Sequence, residues 1–402
     1  MKAAGAILFL CTVALMGLGL VILTSVGNVP GARLFADPNH FWRQQLAFGC
    51  LALACCAAVA CVPPSFWFDR RVAIALVAII LVSLVAVHVP GLGRRANGST
   101  RWIRLGGYLL QPSEFVKMAA IVLSAWWLGA PGRRCETFRE GVAVPVLGMG
   151  VVVAGFLSQP DLGSSIMLVA VNGLLLFLAG ARFRHLLPLG LAGLALLAVF
   201  LAHDPVRMKR LSPVLGPLRP LVVREEPGAA PDALRPGTDR AEYQLNRSLS
   251  ALAAGGWRGR GLGNSIYKHS YLPENHTDFI FAMVGEELGL AATLPCVLLF
   301  LAMAAAGFYV AWRAPDLRTR LLAAGMTLQI ALSAGVNIGV VTGAAPTKGL
   351  ALPFLSYGGS SIIASCATVG FLLAIAARPA PPAPRRPREP APEVVSTDLW
   401  NG

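Results

Sequence analysis

About ten apolar runs divide this chain, near residues 4–25, 45–63, 72–90, 114–130, 142–158, 163–180, 185–202, 286–311, 320–342 and 357–377. A helix needs about 17–25 predominantly apolar residues to cross a bilayer. Inside the hydrocarbon every backbone polar group must be bonded internally, so runs of this length and composition are read as helices. The expected fold is therefore an all-α polytopic membrane protein of about ten transmembrane helices. Charged residues make up 13% of the 402 and mean hydropathy is +0.64, whereas soluble domains carry about 25% charge. The run after Lys2 is longer than the about 7–15 apolar residues of a secretory leader, and no A-x-A site follows it. It is expected to be retained as the first helix.

The short loops give an orientation. Arg70 and Arg71, then Arg133, Arg134 and Arg139, then Arg182 and Arg184, then Arg313, Arg318 and Arg320 fall on one side with Lys2 and the C-terminal tail. The positive-inside rule makes that side cytoplasmic. Both termini are then cytoplasmic, and a large periplasmic loop of about 203–277 joins helices 7 and 8. The same arginines account for much of the net charge of +14. No basic soluble domain is present, so no nucleic acid partner is expected. The eight cysteines lie mostly in or beside apolar runs and none is in the large loop. Neither a disulfide framework nor a metal site is implied.

The bundle reads as one domain, 1–377, and 378–402 as a Pro-rich, basic, flexible cytoplasmic tail. Within the large loop, 212–240 is expected to be poorly ordered. Residues 241–277 carry an amphipathic helical turn and a glycine series, Gly255, Gly256, Gly259, Gly261 and Gly263. Such a series permits tight turns and close backbone approach to a ligand. Loop 91–112 is expected to lie flat on the outer leaflet, with Trp102 and Tyr108 as anchors among Arg101 and Arg104.

Two polar clusters open apolar runs on the outward side: YLPENHTDFIFAMVGEELGL (271–290) and PTKGLALPFLSYGGSS (346–361). A carboxylate at a water–membrane boundary is costly to keep there without a purpose. Asp278 is a candidate general base, because desolvation by the FIFAMVG run favours proton uptake. Capping the following helix would also explain it. Glu286 and Glu287, two turns on, face a polar cavity or a basic group, or serve as packing ion partners. Glu114 and Lys117 share a helix face and either neutralise one another or offer Lys117 to a phosphate. Asp161, in SQPDLGSS, suits a helix N-terminus. Lys348, in a short outward loop, joins Arg101, Arg104, Lys117, Arg207 and Arg210 as cations suited to a lipid pyrophosphate.

Four segments, NGSTRWIRLGGYLLQPSEFVKMA, SQPDLGSS, GGWRGRGLGNSIYKHSYLPENHTDFIFAMVGEELG and PTKGLALPFLSYGGSS, together resemble the SEDS family (shape, elongation, division and sporulation). These are polytopic peptidoglycan glycosyltransferases related to FtsW, RodA and SpoVE. PTKG at 346–349 and HTDFIFA at 276–282 resemble the division branch, FtsW. The resemblance covers most of 1–377. It implies an inner-membrane enzyme with a periplasm-facing site that polymerises lipid II into septal glycan strands. It makes Asp278 the essential outward-facing aspartate, which takes the proton of the acceptor 4-hydroxyl. Lys348, Lys117, Arg101 and Arg104 would steady the departing undecaprenyl pyrophosphate. Glu114, Asp161, Glu286, Ser356 and Ser360 complete the expected substrate-binding set. A divalent cation, Mg or Mn, could share the pyrophosphate charge, although the sequence shows no dedicated metal cage.

The implied partners are lipid II, the undecaprenyl-pyrophosphate-linked glycan, membrane lipids, a class B penicillin-binding protein as transpeptidase, and other divisome proteins. The chain departs from the family pattern at Arg247, Tyr267 and Asn275, which bears on acceptor-side detail. A lipid II flippase, an elongation-type polymerase and a non-catalytic scaffold are the alternatives. A flippase would need charged groups through the bilayer depth and no base.

Overall fold

The structure, a computed structural model, describes residues 1–96, 99–106, 108–202, 240–268, 276–346 and 349–378. Lys348, Arg207, Arg210, Asn275, the 212–239 stretch and the tail from 379 lie outside these residues. In chain order, α1 (Lys2–Val26), α2 (Asn28–Phe35), α3 (His40–Cys61), α4 (Pro64–Trp67) and α5 (Arg70–Ala86) lead to strands β1 (Gly93–Ala96), β2 (Ser99–Leu105) and β3 (Tyr108–Leu110). Then come α6 (Pro112–Leu128), a π-helical turn (Phe138–Ala143) running into α7 (Val144–Ser158), α8 (Leu162–Leu178) and α9 (Phe183–Ala202). The remainder is α10 (Arg240–Gly255), α11 (Ile280–Leu288), α12 (Leu290–Trp312), α13 (Leu317–Val341) and α14 (Gly359–Ala376).

Six helical stretches are long and apolar enough to cross a membrane: α1, α3, the π turn with α7, α12, α13 and α14. The apolar α5, α6, α8 and α9 bring the set to the ten expected from the runs. Their directions alternate, so the chain has two ends to the bundle. Arg70, Arg71, Arg133, Arg134, Arg139, Arg182, Arg184, Arg313, Arg318 and Arg320 lie in or beside connections at one end; Asp278 lies at the other, which also carries Arg94, Arg101 and Arg104. The centre is α14, 72% buried over its most apolar window, and α13, 61% buried, whereas α3 reaches only 22%. Small residues allow the close crossings expected of helices in lipid. Gly19 of α1 meets the backbone of Leu355, and Gly370 of α14 meets the carbonyl of Cys56 on α3.

Two segments differ from expectation. Residues 93–110 form an antiparallel three-stranded sheet in the order β1-β2-β3, with Arg94 opposite Trp102 and Arg104 opposite Leu109. A strand alternates its side chains, so Arg101 and the buried Ile103 face inward while Arg104 is exposed on the other face. The pleat separates the two arginines named together as pyrophosphate cations.

The apolar run read from 286 is interrupted. α11 ends at Gly289, whose φ of 72° and ψ of −169° turn the chain before α12 starts at Leu290. The glycine series wraps this corner. The amides of Arg260 and Gly261 donate to the carbonyls of Glu286 and Glu287, each at 2.9 Å. On the other side, the amides of Leu290 and Ala291 donate to the carbonyls of Gly256 (2.9 Å) and Trp257 (3.0 Å). One loop thus satisfies the loose ends of two helices. A Cβ at Gly255 or Gly259 would overlap the carbonyl of Gly285 or Glu287. The close approach these glycines permit is to other backbone within the protein.

Candidate active site at the Asp278 rim

Asp278 stands two residues before α11, half-buried, ahead of a helix whose residues Ile280–Glu287 are all buried. The N-cap position of that helix is Phe279, one residue after Asp278, and the Phe279 side chain makes no cap bond. The backbone of Asp278 is pinned from α13, where Asn337 Nδ2 donates to the carbonyls of Asp278 (2.8 Å) and Leu350 (2.6 Å). The Asp278 carboxylate lies against Gly349, where a Cβ would overlap Oδ2.

The segment 349–358 is stitched to residues 276–278 along its length. Ser356 Oγ donates to the Thr277 carbonyl at 2.6 Å and accepts from the Leu352 amide at 2.8 Å. The Tyr357 amide donates to the His276 carbonyl at 3.0 Å. Helix α3 closes the frame: Gln45 Nε2 donates to the Ser356 carbonyl (3.1 Å) and its Oε1 accepts from the Gly358 amide (3.2 Å). The Tyr357 hydroxyl donates to Gln44 Oε1. Burial pushes the Tyr357 phenol up to about 12, so it stays a donor.

A second polar group sits at the same end, where α6 and α8 begin. Asp161 Oδ1 accepts from the Ser164 amide at 3.1 Å, an N-cap on α8, and Oδ2 accepts from Ser164 Oγ (2.7 Å) and Ser113 Oγ (3.2 Å). Arg101 Nη1 comes to 3.8 Å of Asp161, and its Nε is buried with no hydrogen-bond partner among the described residues. Ser360 Oγ accepts from the Gln111 amide at 2.9 Å, and Gln111 Nε2 donates to Ser113 Oγ at 3.0 Å. Segment 349–361 therefore holds Asp278 through Ser356 and meets the Asp161 group through Ser360.

A small cleft of about 30 Å³ lies between α6, α13, α14 and residues 350–353. Glu114, Lys117, Gln329, Ser333, Ser361 and Thr368 line it. Lys117 Nζ donates to Glu114 at 2.9 Å, with the lysine side chain 3% exposed and the glutamate 18%. Leu350 and Ala351 form part of its wall, directly after the glycine that touches Asp278.

Glu286 and Glu287 are both fully enclosed. Glu286 accepts from Ser265 Oγ and from the amides of Ile266 (2.7 Å) and Tyr267 (3.4 Å). Burial pushes its carboxyl up, and those donors with Arg260 pull it back. Residues 265–268 spell S-x-x-K, the spacing of a penicillin-binding nucleophile. Here Ser265 Oγ is committed to Glu286, and Lys268 Nζ donates to Ser25 Oγ and the Gly263 carbonyl. Arg247 stacks over Tyr243 on its own helix, 5.1 Å from the ring centre.

Asn337, Gly349, Gln44, Gln45 and Ser25 were not singled out from sequence. A usable signal existed for three of them: Asn337 interrupts an apolar run, and Gln44-Gln45 opens one.

The fold and site define a polytopic helical membrane protein with a carboxylate framed at one rim of its bundle. The chain belongs to the cell cycle protein family of FtsW, RodA and SpoVE, which it matches over residues 6–380. It is 36% identical over 371 residues to the probable peptidoglycan glycosyltransferase FtsW of Trichlorobacter lovleyi, covering 92% of each chain. It is 37% identical over 370 residues to stage V sporulation protein E of Bacillus subtilis, covering 91% of this chain and 95% of that one. Among solved structures, it is similar to a chain of a peptidoglycan synthase complex that coordinates polymerization and crosslinking. The TM-score is 0.70, with 27% identity and 92% and 96% of the two chains covered. The rod shape determining protein RodA of Thermus thermophilus gives a TM-score of 0.61 at 25% identity, covering 92% and 95%.

Proposed function

We propose that this protein is a peptidoglycan glycosyltransferase that polymerises lipid II for the septal wall. Asp278 acts as general base at the periplasmic rim of the inner membrane. The activity named for its relatives supports the reaction. The observation that carries the residue is the placing of Asp278, half-buried at the head of a buried helix, with its carboxylate against Gly349 and its backbone carbonyl held by Asn337. The loop arginines at the opposite end support a cytoplasmic placement for that end.

In the step, the acceptor 4-hydroxyl oxygen bonds to the anomeric carbon of the growing glycan. The bond from that carbon to undecaprenyl pyrophosphate breaks, and its electron pair leaves with the pyrophosphate. The hydroxyl proton passes to Asp278. Arg101, Lys117 and Lys348 are the cations proposed to steady the departing charge, with Arg104 on the exposed face of the sheet. Among the described residues no three His, Cys, Asp or Glu side chains converge on a point. A divalent cation would take most of its ligands from the pyrophosphate, and no step is routed through one. The likeness to a synthase complex supports a class B penicillin-binding protein as the crosslinking partner.

One observation favours a second reading: the Glu114–Lys117 pair, in the first two turns of α6, lines a cleft between helices where a lipid II flippase would hold a headgroup. A single experiment separates the two. Protein reconstituted with its transpeptidase partner is expected to polymerise labelled lipid II, and Asp278→Ala to abolish this at unchanged Tm. Flipping without polymer from the wild type would overturn the enzyme reading.

A further inference from the structure

We propose that Glu286, Glu287 and Ser25 are positioning residues that lock α11 in place and thereby set where Asp278 stands. The inference rests on the reading of Asp278 as the base. α11 has nine residues, far below the roughly 12–15 at which an isolated helix becomes even marginal in water. Its placement is therefore decided by what grips it. At its head is Asp278; at its tail are two adjacent carboxylates with 0% exposure.

Glu286 is held by the 265–267 segment through three donors. Glu287 Oε1 accepts from Ser25 Oγ at 2.5 Å, and Ser25, next to last in α1, accepts from Lys268 Nζ at 3.1 Å. The carbonyls of both glutamates are capped from the glycine series. Three separate pieces of chain thus meet on one helical turn. Being enclosed, neither carboxylate can touch a substrate. Apolar residues of the same volume would fill the space without the desolvation penalty; what the carboxylates add is a specific register. A shift at this turn is carried along a buried, rigid helix to Asp278, two turns away.

The test is lipid II polymerisation by the full chain with its partner, combined with hydrogen exchange of residues 276–288. Glu286→Ala and Glu287→Ala are expected to lower kcat by about 100-fold, the scale of a 1 Å misplacement, with KM unchanged. Glu286→Gln and Glu287→Gln keep an acceptor oxygen and are expected to recover most of the activity. Ser25→Ala, which removes only one hydroxyl, keeps the test decisive if the larger truncations fail to fold; a fall in kcat of about 3–10-fold is expected. Exchange in 276–288 is expected to quicken at least tenfold, on the order of 1.4 kcal/mol of lost protection, in the Ala variants of the glutamates. A rise in KM at constant kcat, glutamines as inactive as alanines, or unaltered exchange each overturns the anchor. If Asp278→Ala polymerises normally, the base reading fails by itself, and the exchange result still decides the anchor.

Discussion

The carboxylate of Asp278 lies where a Cβ on Gly349 would overlap Oδ2, so the loop leading into α14 forms the floor of the proposed catalytic group. Gly349 is not among the residues with positive φ, so an alanine there would meet no backbone strain, only the carboxylate. Gly349→Ala is therefore expected to displace Asp278 and lower polymerisation kcat by about 10–100-fold. Tm should move little. Wild-type polymer yield from this variant would remove Gly349 from the site.

Asn337 uses one amide nitrogen to hold the Asp278 and Leu350 carbonyls, and its side chain is buried. Asn337→Leu has similar volume but leaves both acceptors empty, at about 1–3 kcal/mol for each buried unsatisfied group. The expected result is a lower Tm in detergent together with a lower kcat. Asn337→Asp should be worse, since it sets a carboxylate against two carbonyl oxygens. Thermal unfolding that matches the wild type in both variants would show that this pin does not matter.

The helix count was legible because hydrocarbon leaves the backbone one solution for each apolar run. Asp278 was legible because a carboxylate beside such a run is conspicuous. What escaped was set by tertiary geometry. The break at Gly289 separates α11 from α12, where the sequence reads as one apolar run from 286 to 311. Strand pairing put Arg101 and Arg104 on opposite faces, because a spacing of three that aligns residues on a helix divides them on a strand. The glycine series makes the tight turns expected of it, with positive φ at Gly256, Gly259, Gly261 and Gly263, but the close approach at Gly255 and Gly259 is to the carbonyls of Gly285 and Glu287. Nothing local distinguishes a glycine that admits a ligand from one that admits another strand of the same chain.

Asp161 caps α8, holds Ser113 at the start of α6 and faces Arg101. Asp161→Ala would remove the cap, worth about 0.5–2 kcal/mol, and leave Arg101 without its ion partner. A clear fall in Tm is expected. Asp161→Asn keeps an acceptor for the Ser164 amide and should recover much of the loss. Asp161→Asn weakens the ion pair beside Arg101, so activity per folded molecule should fall by no more than about fivefold, through Arg101 and not through contact with the substrate. A large drop in kcat/KM at unchanged Tm would instead move Asp161 into direct contact with the substrate.

Lys117 presents the sharpest choice between structure and chemistry, because its ammonium is both paired with Glu114 and part of the cleft wall. Lys117→Met strands the Glu114 carboxylate. Breaking a fully buried pair costs about 3–5 kcal/mol, and the residual exposure of Glu114 reduces that figure. Stability alone cannot say what the lysine is for. The double variant Glu114→Gln/Lys117→Met removes both charges at nearly constant volume and is expected to restore Tm. If the lysine also stabilises the departing pyrophosphate, polymerisation stays impaired in the double variant, with kcat/KM down about 100-fold, the scale lost with one electrostatic donor. That is the expected outcome. A double variant that regains both Tm and wild-type polymerisation would reduce the pair to packing and leave the leaving-group charge to Arg101 and Lys348.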